Sequence, residues 1–214
     1  MEKDFIDAGT HEHAGKMHDD LIYAVEWAVR EGIARRGKIA IMGTSYGGYA
    51  TLVGLTFTPE FFCCGVSIVG ISNLVTMLES MPPYWAGFNE FMFRSYADVR
   101  TEEGRAWLRS RSPLYKVNRI CRPLLIGHGA NDVRCKIQES DQIVRAMRDR
   151  HLAVTYVVYL DEGHGFARPE NRMSFNAISE AFLAEHLGGR CQLIGKDFAG
   201  SSLEISEEIE ATAK

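Results

Sequence analysis

A serine, an aspartate and a histidine, which together can perform nucleophilic catalysis, lie far apart along this chain. Ser45 is at the centre of a G-x-S-x-G motif at residues 43–47, after an apolar run and before an apolar, helix-like segment. A strand, a sharp turn and a helix in that order form a nucleophile elbow, which holds the serine in a strained conformation with its Oγ exposed. Gly43 and Gly47 flank the serine where a Cβ is expected to collide with neighbouring backbone.

Asp132 and His164 are the candidate partners of Ser45. Each follows an apolar run of strand type, and the order Ser, Asp, His is that of α/β-hydrolases. His164 would take the Oγ proton and deliver it to the leaving group, while Asp132 would orient the imidazole. The backbone N–H of Tyr46, next to the nucleophile at a helix start, would donate to the oxyanion.

Other interpretations of the polar residues stay open. Asp132 could serve only a local turn, with Asp141 or Asp161 as the acid, although its position at a strand end favours Asp132. His128 is near the same edge and is interpreted as a residue that either supports the catalytic residues or serves the fold. A further group invites a metal hypothesis: His11, Glu12, His13 and His18. Its spacing matches no known ligand pattern, so neither a metal site nor a cofactor is predicted.

Segments of strand and helix type alternate around these residues. Helices are predicted at 17–31, 46–57, 74–80, 102–110, 136–150 and up to 187, and strands at 38–42, 64–69, 123–127 and 154–160. This alternation predicts an α/β fold, a parallel sheet with helices on both faces, with the chemistry beyond the carboxyl ends of the strands.

Two segments are predicted to be irregular. Residues 81–96 are rich in aromatic side chains, which either line an apolar substrate pocket or belong to the core. Residues 1–190 are interpreted as one catalytic domain. Residues 191–214, the greater part of a Gly/Ser-containing stretch that is acidic towards its end, are interpreted as a loosely packed tail.

Composition narrows the classes of partner and compartment. The formal net charge of −4 gives no electrostatic footprint for nucleic acid. The sequence has no apolar run long enough to cross a membrane, and its charged start is unlike a signal peptide. Five cysteines without a C-x-x-C pair favour reduced thiols in a cytoplasmic protein.

Four motifs together resemble the prolyl oligopeptidase family of serine peptidases. They are GTSYGGY at residues 43–49, HGANDVR at 128–134, EGHGF at 162–166 and KMHDD at 16–20. The resemblance extends over residues 5–187 and is nearest to the acylaminoacyl-peptidase and dipeptidyl-peptidase-like branches. It implies hydrolysis of short peptides at Ser45, with Asp132 and His164 completing the triad. Thr44, Val133 and Cys135 depart mildly from the family pattern and leave the triad intact.

The resemblance also implies that part of the family's architecture is absent. Family members carry a β-propeller and several strands ahead of this region, and that part supplies a second oxyanion donor. Only four residues precede Phe5 here, so the sequence is interpreted as the C-terminal part of a peptidase, lacking the N-terminal strands of its α/β-hydrolase fold. An uncovered sheet edge then predicts marginal stability or self-association as a homo-oligomer. The missing oxyanion donor and the missing part of the pocket predict low activity even with the triad present.

Three functions follow from these patterns. The first is a serine peptidase acting on oligopeptides, and the second is a carboxylic-ester hydrolase on the same fold. The triad does not separate these two, because acyl transfer from an amide and from an ester share a mechanism. The third is an inactive fragment that acts as an interaction module.

Overall fold

A computed structural model describes residues 3–81 and 83–206 of the chain. The strands are β1 (Ala40–Thr44), β2 (Cys64–Ile68), β3 (Leu124–Gly129), β4 (Val154–Tyr159) and β5 (Leu203–Ser206). The helices are α1 (Lys3–Ala8), α2 (Lys16–Arg30), α3 (Tyr46–Phe57), α4 (Leu74–Glu79), α5 (Ala86–Ser95), α6 (Glu102–Ser110), α7 (Gln138–Arg148) and α8 (Pro169–Leu187). Single 3₁₀ segments occupy Pro83–Trp85 and Pro113–Arg119.

The strands form one sheet in the order β1-β2-β3-β4-β5. β1 to β4 are parallel, with Thr44 opposite Ile68 and Gly129 opposite Tyr159, and β5 runs antiparallel to β4. The carboxyl ends of the four parallel strands therefore meet at one edge, which is where a ligand site is expected.

Helices cover both faces of the sheet. Apolar side chains of α3 and α7 pack on one face, and those of α8 pack on the other. The first cluster includes Leu52, Leu55, Leu124, Ile126, Ile143 and Met147, and the second includes Val66, Leu125, Val157, Phe175 and Phe182. Neighbouring residues of one strand, such as Leu124 and Leu125, belong to different clusters because successive side chains of a strand point to opposite faces. The predicted fold, a mostly parallel sheet with helices on both faces, is confirmed.

The predicted elements are close to those observed. α3 and α6 begin and end where the sequence predicts, and the other predicted ends lie within two residues of the observed ones. The largest shift that concerns the site is in β1, which begins and ends two residues later than predicted. The strand therefore leads directly into Ser45.

The prediction that residues 81–96 are irregular is wrong, because most of them form α5. Aromatic residues occur on both the buried and the exposed side of α5, so the sequence does not show the alternation of apolar and polar residues that indicates an amphipathic helix. Phe93 and Tyr96 contribute to the core, whereas Phe88 and Phe91 are exposed. The core interpretation therefore holds for Phe93 and Tyr96 and does not hold for Phe88 and Phe91.

The prediction of a loosely packed tail is wrong for Leu203–Ser206. These residues form β5, whose register pairs Leu203 with Tyr159 and Ile205 with Val157. The strand completes the backbone hydrogen bonding on one side of β4, which a tail without long-range contacts would leave unpaired. Residues 207–214 of the predicted tail lie outside the described residues.

Candidate active site

Ser45 occupies the sharp turn between β1 and α3. Its φ is +59° and its ψ is −114°, a conformation that is strained for a residue with a Cβ. The Ser45 N–H donates to the carbonyl of Ile68 at 2.8 Å, which ties the turn to the end of β2. A backbone hydrogen bond from the neighbouring strand therefore stabilises the strained conformation of Ser45.

The two glycines of the motif have different environments. A Cβ on Gly43 would lie 2.4 Å from the carbonyl carbon and oxygen of Gly47, so the predicted collision exists at this position. The same expectation is wrong for Gly47, where a Cβ would meet nothing within 4 Å. The close approach is one-sided, because the backbone of Gly47 fills the space beside Gly43 while its own missing Cβ points into open space.

The structure brings Ser45, Asp132 and His164 together at the carboxyl edge of the sheet. His164 Nε2 lies 2.9 Å from Ser45 Oγ, and His164 Nδ1 lies 2.7 Å from Asp132 Oδ2. Asp132 follows β3 and His164 follows β4, so the contact joins the ends of three strands.

The carboxylate of Asp132 is buried and hydrogen-bonded on both oxygens. Oδ1 accepts from the backbone N–H groups of Arg134 at 2.8 Å and Cys135 at 2.9 Å, while Oδ2 faces His164. Burial acts to raise the pKa of Asp132, but the hydrogen bonds from His164 and from the two N–H groups outweigh it, so the pKa lies below its ordinary value. The carboxylate is thus held in the ionised form that orients an imidazole.

The alternative residues have other partners. Asp141 accepts a hydrogen bond from the Tyr156 hydroxyl at 2.8 Å, and Asp161 forms an ion pair with Arg168. His128 is fully buried, with Nδ1 2.7 Å from Ser140 Oγ and Nε2 2.8 Å from the Cys135 carbonyl. Burial lowers the pKa of His128, which favours its neutral form in this network.

Tyr46 is the first residue of α3, and a first-turn N–H has no acceptor within its own helix. The Tyr46 hydroxyl lies 3.2 Å from Nδ1 of His13, whose ring stacks on Tyr96 at 3.7 Å. Burial raises the pKa of Tyr46 to about 12 and lowers that of His13 to about 4, so both side chains are neutral near pH 7. The contact with His13 therefore fixes the position of the Tyr46 side chain.

Two further residues of the metal hypothesis also have protein partners. His18 Nε2 lies 2.8 Å from the Thr58 hydroxyl, and Glu12 forms an ion pair with Lys16 at 3.1 Å. Across residues 3–81 and 83–206, no three His, Cys, Asp or Glu side chains are grouped so that they could hold a metal ion.

An open cleft of about 770 Å³ adjoins the loop that follows β3 and carries Asp132. One wall includes Met81 and Tyr84, and the other includes Asp132, Val133 and Ile137. Its size is within the range of sites for small ligands. Two residues of the aromatic-rich segment thus line a cleft, as one of the two interpretations of that segment expected.

A strained serine on a strand–helix turn, hydrogen-bonded to a histidine that follows a later strand, is the arrangement of the serine hydrolases of the α/β-hydrolase class. The sequence profile described as the prolyl oligopeptidase family matches residues 1–190. The chain belongs to this family, a family of serine peptidases, and the resemblance inferred from its motifs is confirmed.

Two relatives and one solved structure illustrate the similarity. Dipeptidyl aminopeptidase BIII of Pseudoxanthomonas mexicana is 60% identical over 203 residues, which are 95% of this chain and 30% of that protein. Dipeptidyl peptidase family member 6 of Caenorhabditis elegans is 50% identical over 191 residues, 89% of this chain and 26% of that protein. An acylaminoacyl peptidase in complex with Z-Gly-Gly-Phe-chloromethyl ketone superposes with a TM-score of 0.79 at 25% identity, covering 91% of this chain and 31% of that one. The chain spans less than a third of each of these proteins.

The sequence interpretation missed one buried residue beside the site. Glu162, two positions before His164, is 3% exposed and accepts hydrogen bonds from the N–H groups of Ala167 and Arg168. The only sequence signal was its place within the EGHGF motif.

Among the described helices, none combines the length and apolar character that a bilayer span requires.

Proposed function

We propose that this chain carries the catalytic residues of a serine peptidase that cleaves short peptides through an acyl-enzyme on Ser45. The observation that supports this most is the unbroken hydrogen-bond chain from Ser45 Oγ through His164 to Asp132, with distances of 2.9 Å and 2.7 Å. The strained φ of Ser45 adds support, because such a conformation persists where the surroundings enforce it and is common at active sites.

The first half of the reaction acylates Ser45. The Oγ attacks the scissile carbonyl carbon while its proton passes to Nε2 of His164. Asp132 stabilises the resulting imidazolium through Nδ1–H without accepting its proton. The Tyr46 N–H donates to the oxyanion of the tetrahedral intermediate. When the C–N bond breaks, the proton on Nε2 is transferred to the leaving amine, which departs as the new amino terminus.

The second half of the reaction hydrolyses the acyl-enzyme. A water molecule gives a proton to Nε2 of His164 as its oxygen attacks the ester carbonyl, and the same proton returns to Oγ as the ester bond breaks. The net change is the addition of one water molecule across one peptide bond, so no oxidant or cofactor enters the reaction.

The proposed substrates are short peptides cleaved near their amino terminus. Both quoted curated relatives are named as enzymes that act on dipeptidyl groups, and the quoted structural relative is named for acylaminoacyl groups. The higher sequence identity to the first two favours release of a dipeptide. The cleft beside Asp132 offers Met81 and Tyr84 as apolar surface for a substrate side chain.

A fluorophosphonate probe tests the proposed nucleophile. The intact chain should become covalently labelled, and labelling should be lost in Ser45→Ala and reduced by several orders of magnitude in His164→Ala. Ser110→Ala is a matched control, because Ser110 is an exposed serine at the end of α6 and donates only to the Trp107 carbonyl. An unlabelled but folded chain would favour the inactive interaction module.

A second experiment separates the substrate classes. A dipeptidyl anilide, an N-acylaminoacyl anilide and a short-chain ester should be compared by kcat/KM. A preference for the dipeptidyl anilide supports the proposal, whereas hydrolysis of the ester alone favours a carboxylic-ester hydrolase on the same fold. A cytoplasmic location and assembly as a homo-oligomer stay predictions from the sequence.

A further inference from the structure

The loop that carries His164 is closed at both ends by one buried side chain, that of Glu162. Its Oε2 accepts from the N–H of Ala167 at 2.8 Å, and its Oε1 accepts from the N–H of Arg168 at 2.8 Å. The amide of Asn171 donates to the same Oε1 at 2.8 Å. Glu162 precedes His164 and its acceptors bind residues that follow His164, so the carboxylate spans the loop.

The turn inside this loop is tight. Gly165 N–H donates to the carbonyl of Gly163 at 2.9 Å, and Gly165 has a φ of +105°, which a residue with a side chain rarely adopts. His164 is thus presented at the tip of a short turn. A Cβ on Gly165 would meet nothing within 4 Å, so nothing packs against the turn at that position, and we expect its direction to depend on how its two ends are held.

The loop that carries Asp132 rests on the same residue. The Asn131 N–H donates to the Glu162 carbonyl at 2.8 Å. A Cβ on Gly129 would lie 2.6 Å from the carbonyl carbon of Glu162 and 2.3 Å from the carbonyl oxygen of Gly163, so the two loops are in direct backbone contact. The main chain of Glu162 therefore supports the acid loop while its side chain closes the base loop.

We propose that Glu162 is the positioning residue of the catalytic base: its buried carboxylate sets the direction of the His164 turn relative to Asp132. The inference rests on the proposed function of Ser45, Asp132 and His164. The N–H groups of Ala167 and Arg168 lie at the start of α8, where the partial positive charge of a helix N-terminus favours a carboxylate. The three N–H donors and the helix N-terminus thus both suit the two acceptor oxygens of a carboxylate side chain at this position.

The uncharged isostere disrupts this arrangement specifically. A glutamine has one acceptor oxygen and one NH₂ group, whereas three N–H donors converge on the two oxygens of Glu162. In either orientation of the amide, at least one of these N–H donors faces the NH₂ group. We expect the turn to move away from that contact, and a displacement of about 1 Å at the base costs about a hundredfold in rate.

The experiment compares Glu162→Gln with Glu170→Gln. Glu170 is a half-exposed glutamate in the first turn of α8, and its ion pair is with Arg168 at 3.6 Å on the surface. Two readouts are used: the rate of fluorophosphonate labelling per folded molecule, and the far-downfield NMR signal of the His164 Nδ1 proton shared with Asp132. Glu162→Gln should label about a hundredfold more slowly and lose or shift this signal. Glu170→Gln should match the unmodified chain in both.

Each outcome decides the inference. Wild-type labelling or an unchanged proton signal in Glu162→Gln overturns it, and so does an equal effect of Glu170→Gln. If the unmodified chain is not labelled, the proposed function fails, and the proton signal alone decides about Glu162. If Glu162→Gln does not fold, Glu162→Asp, which keeps the charge, replaces it. Failure of both to fold overturns the inference, because Glu162 then serves the stability of the fold.

Discussion

The unequal surroundings of the two motif glycines lead to a sharp prediction. Gly43→Ala and Gly47→Ala add the same methyl group at positions four residues apart in one elbow. On Gly43 the methyl carbon would lie 2.4 Å from the backbone of Gly47, whereas on Gly47 it would meet nothing within 4 Å. The first variant must push β1 and α3 apart at Ser45, and the second need not move anything.

The magnitudes separate the two variants clearly. Forcing a methyl group into occupied space costs about 1–3 kcal/mol of unfolding free energy. Gly47 lies within α3, where alanine in place of glycine stabilises a helix by about 0.5–1 kcal/mol. The difference of about 1.5–4 kcal/mol corresponds to roughly 3–16 °C in Tm for a chain of this size.

Thermal unfolding and fluorophosphonate labelling together test this prediction. Gly43→Ala should unfold at the lower temperature and label at least about a hundredfold more slowly, because Ser45 is displaced from His164. Gly47→Ala should keep its labelling and unfold at a slightly higher temperature than the unmodified chain. The reasoning is refuted if Gly47→Ala is destabilised as much as Gly43→Ala, since open space at Gly47 would then not describe the elbow.

Three further predictions concern acid stability and assembly. The pKa of Asp132 lies below its ordinary value, so the ionised carboxylate contributes stability at neutral pH that is lost on acidification. The free energy of unfolding, measured in urea, should therefore fall less on acidification in Asp132→Asn than in the unmodified chain. Burial lowers the pKa of His13 from an ordinary 6.5 to about 4, so the folded state favours the neutral imidazole. Up to about 3 kcal/mol of unfolding free energy should therefore be lost as the pH falls from about 6.5 to about 4, and His13→Phe should remove this pH dependence. Met42, half exposed on the edge strand β1, should promote self-association, which Met42→Lys should reduce in sedimentation measurements.

The sequence predicted the parts of the fold and site that depend on local pattern. Strand runs that end in reactive residues placed Ser45, Asp132 and His164 at the same edge, because parallel strands align their carboxyl ends. The helix α3 was predictable because its apolar run starts at the elbow and ends before Thr58-Pro59. These inferences need only chain order and the rules of parallel sheets.

What the sequence did not predict depends on contacts between distant residues. β5 exists because Leu203–Ser206 pairs with β4, and its short alternation of apolar and polar residues is too weak a signal alone. The importance of Glu162 depends on three N–H groups that α8 and its preceding loop bring around it. The open space at Gly47 similarly depends on the direction of α3 after the turn.

The order of the strands explains why the loop that carries His164 needs support. Ser45 follows β1 and His164 follows β4, three strand spacings away, or about 14 Å. An imidazole spans only a small part of that distance, so the loop that carries His164 must extend across the carboxyl ends of β3 and β2 towards Ser45. Asp132 follows β3, on the path of that turn, and meets it at 2.7 Å. The reach towards Ser45 is therefore supported twice, by the acid beneath the imidazole and by Glu162 at the base of the turn.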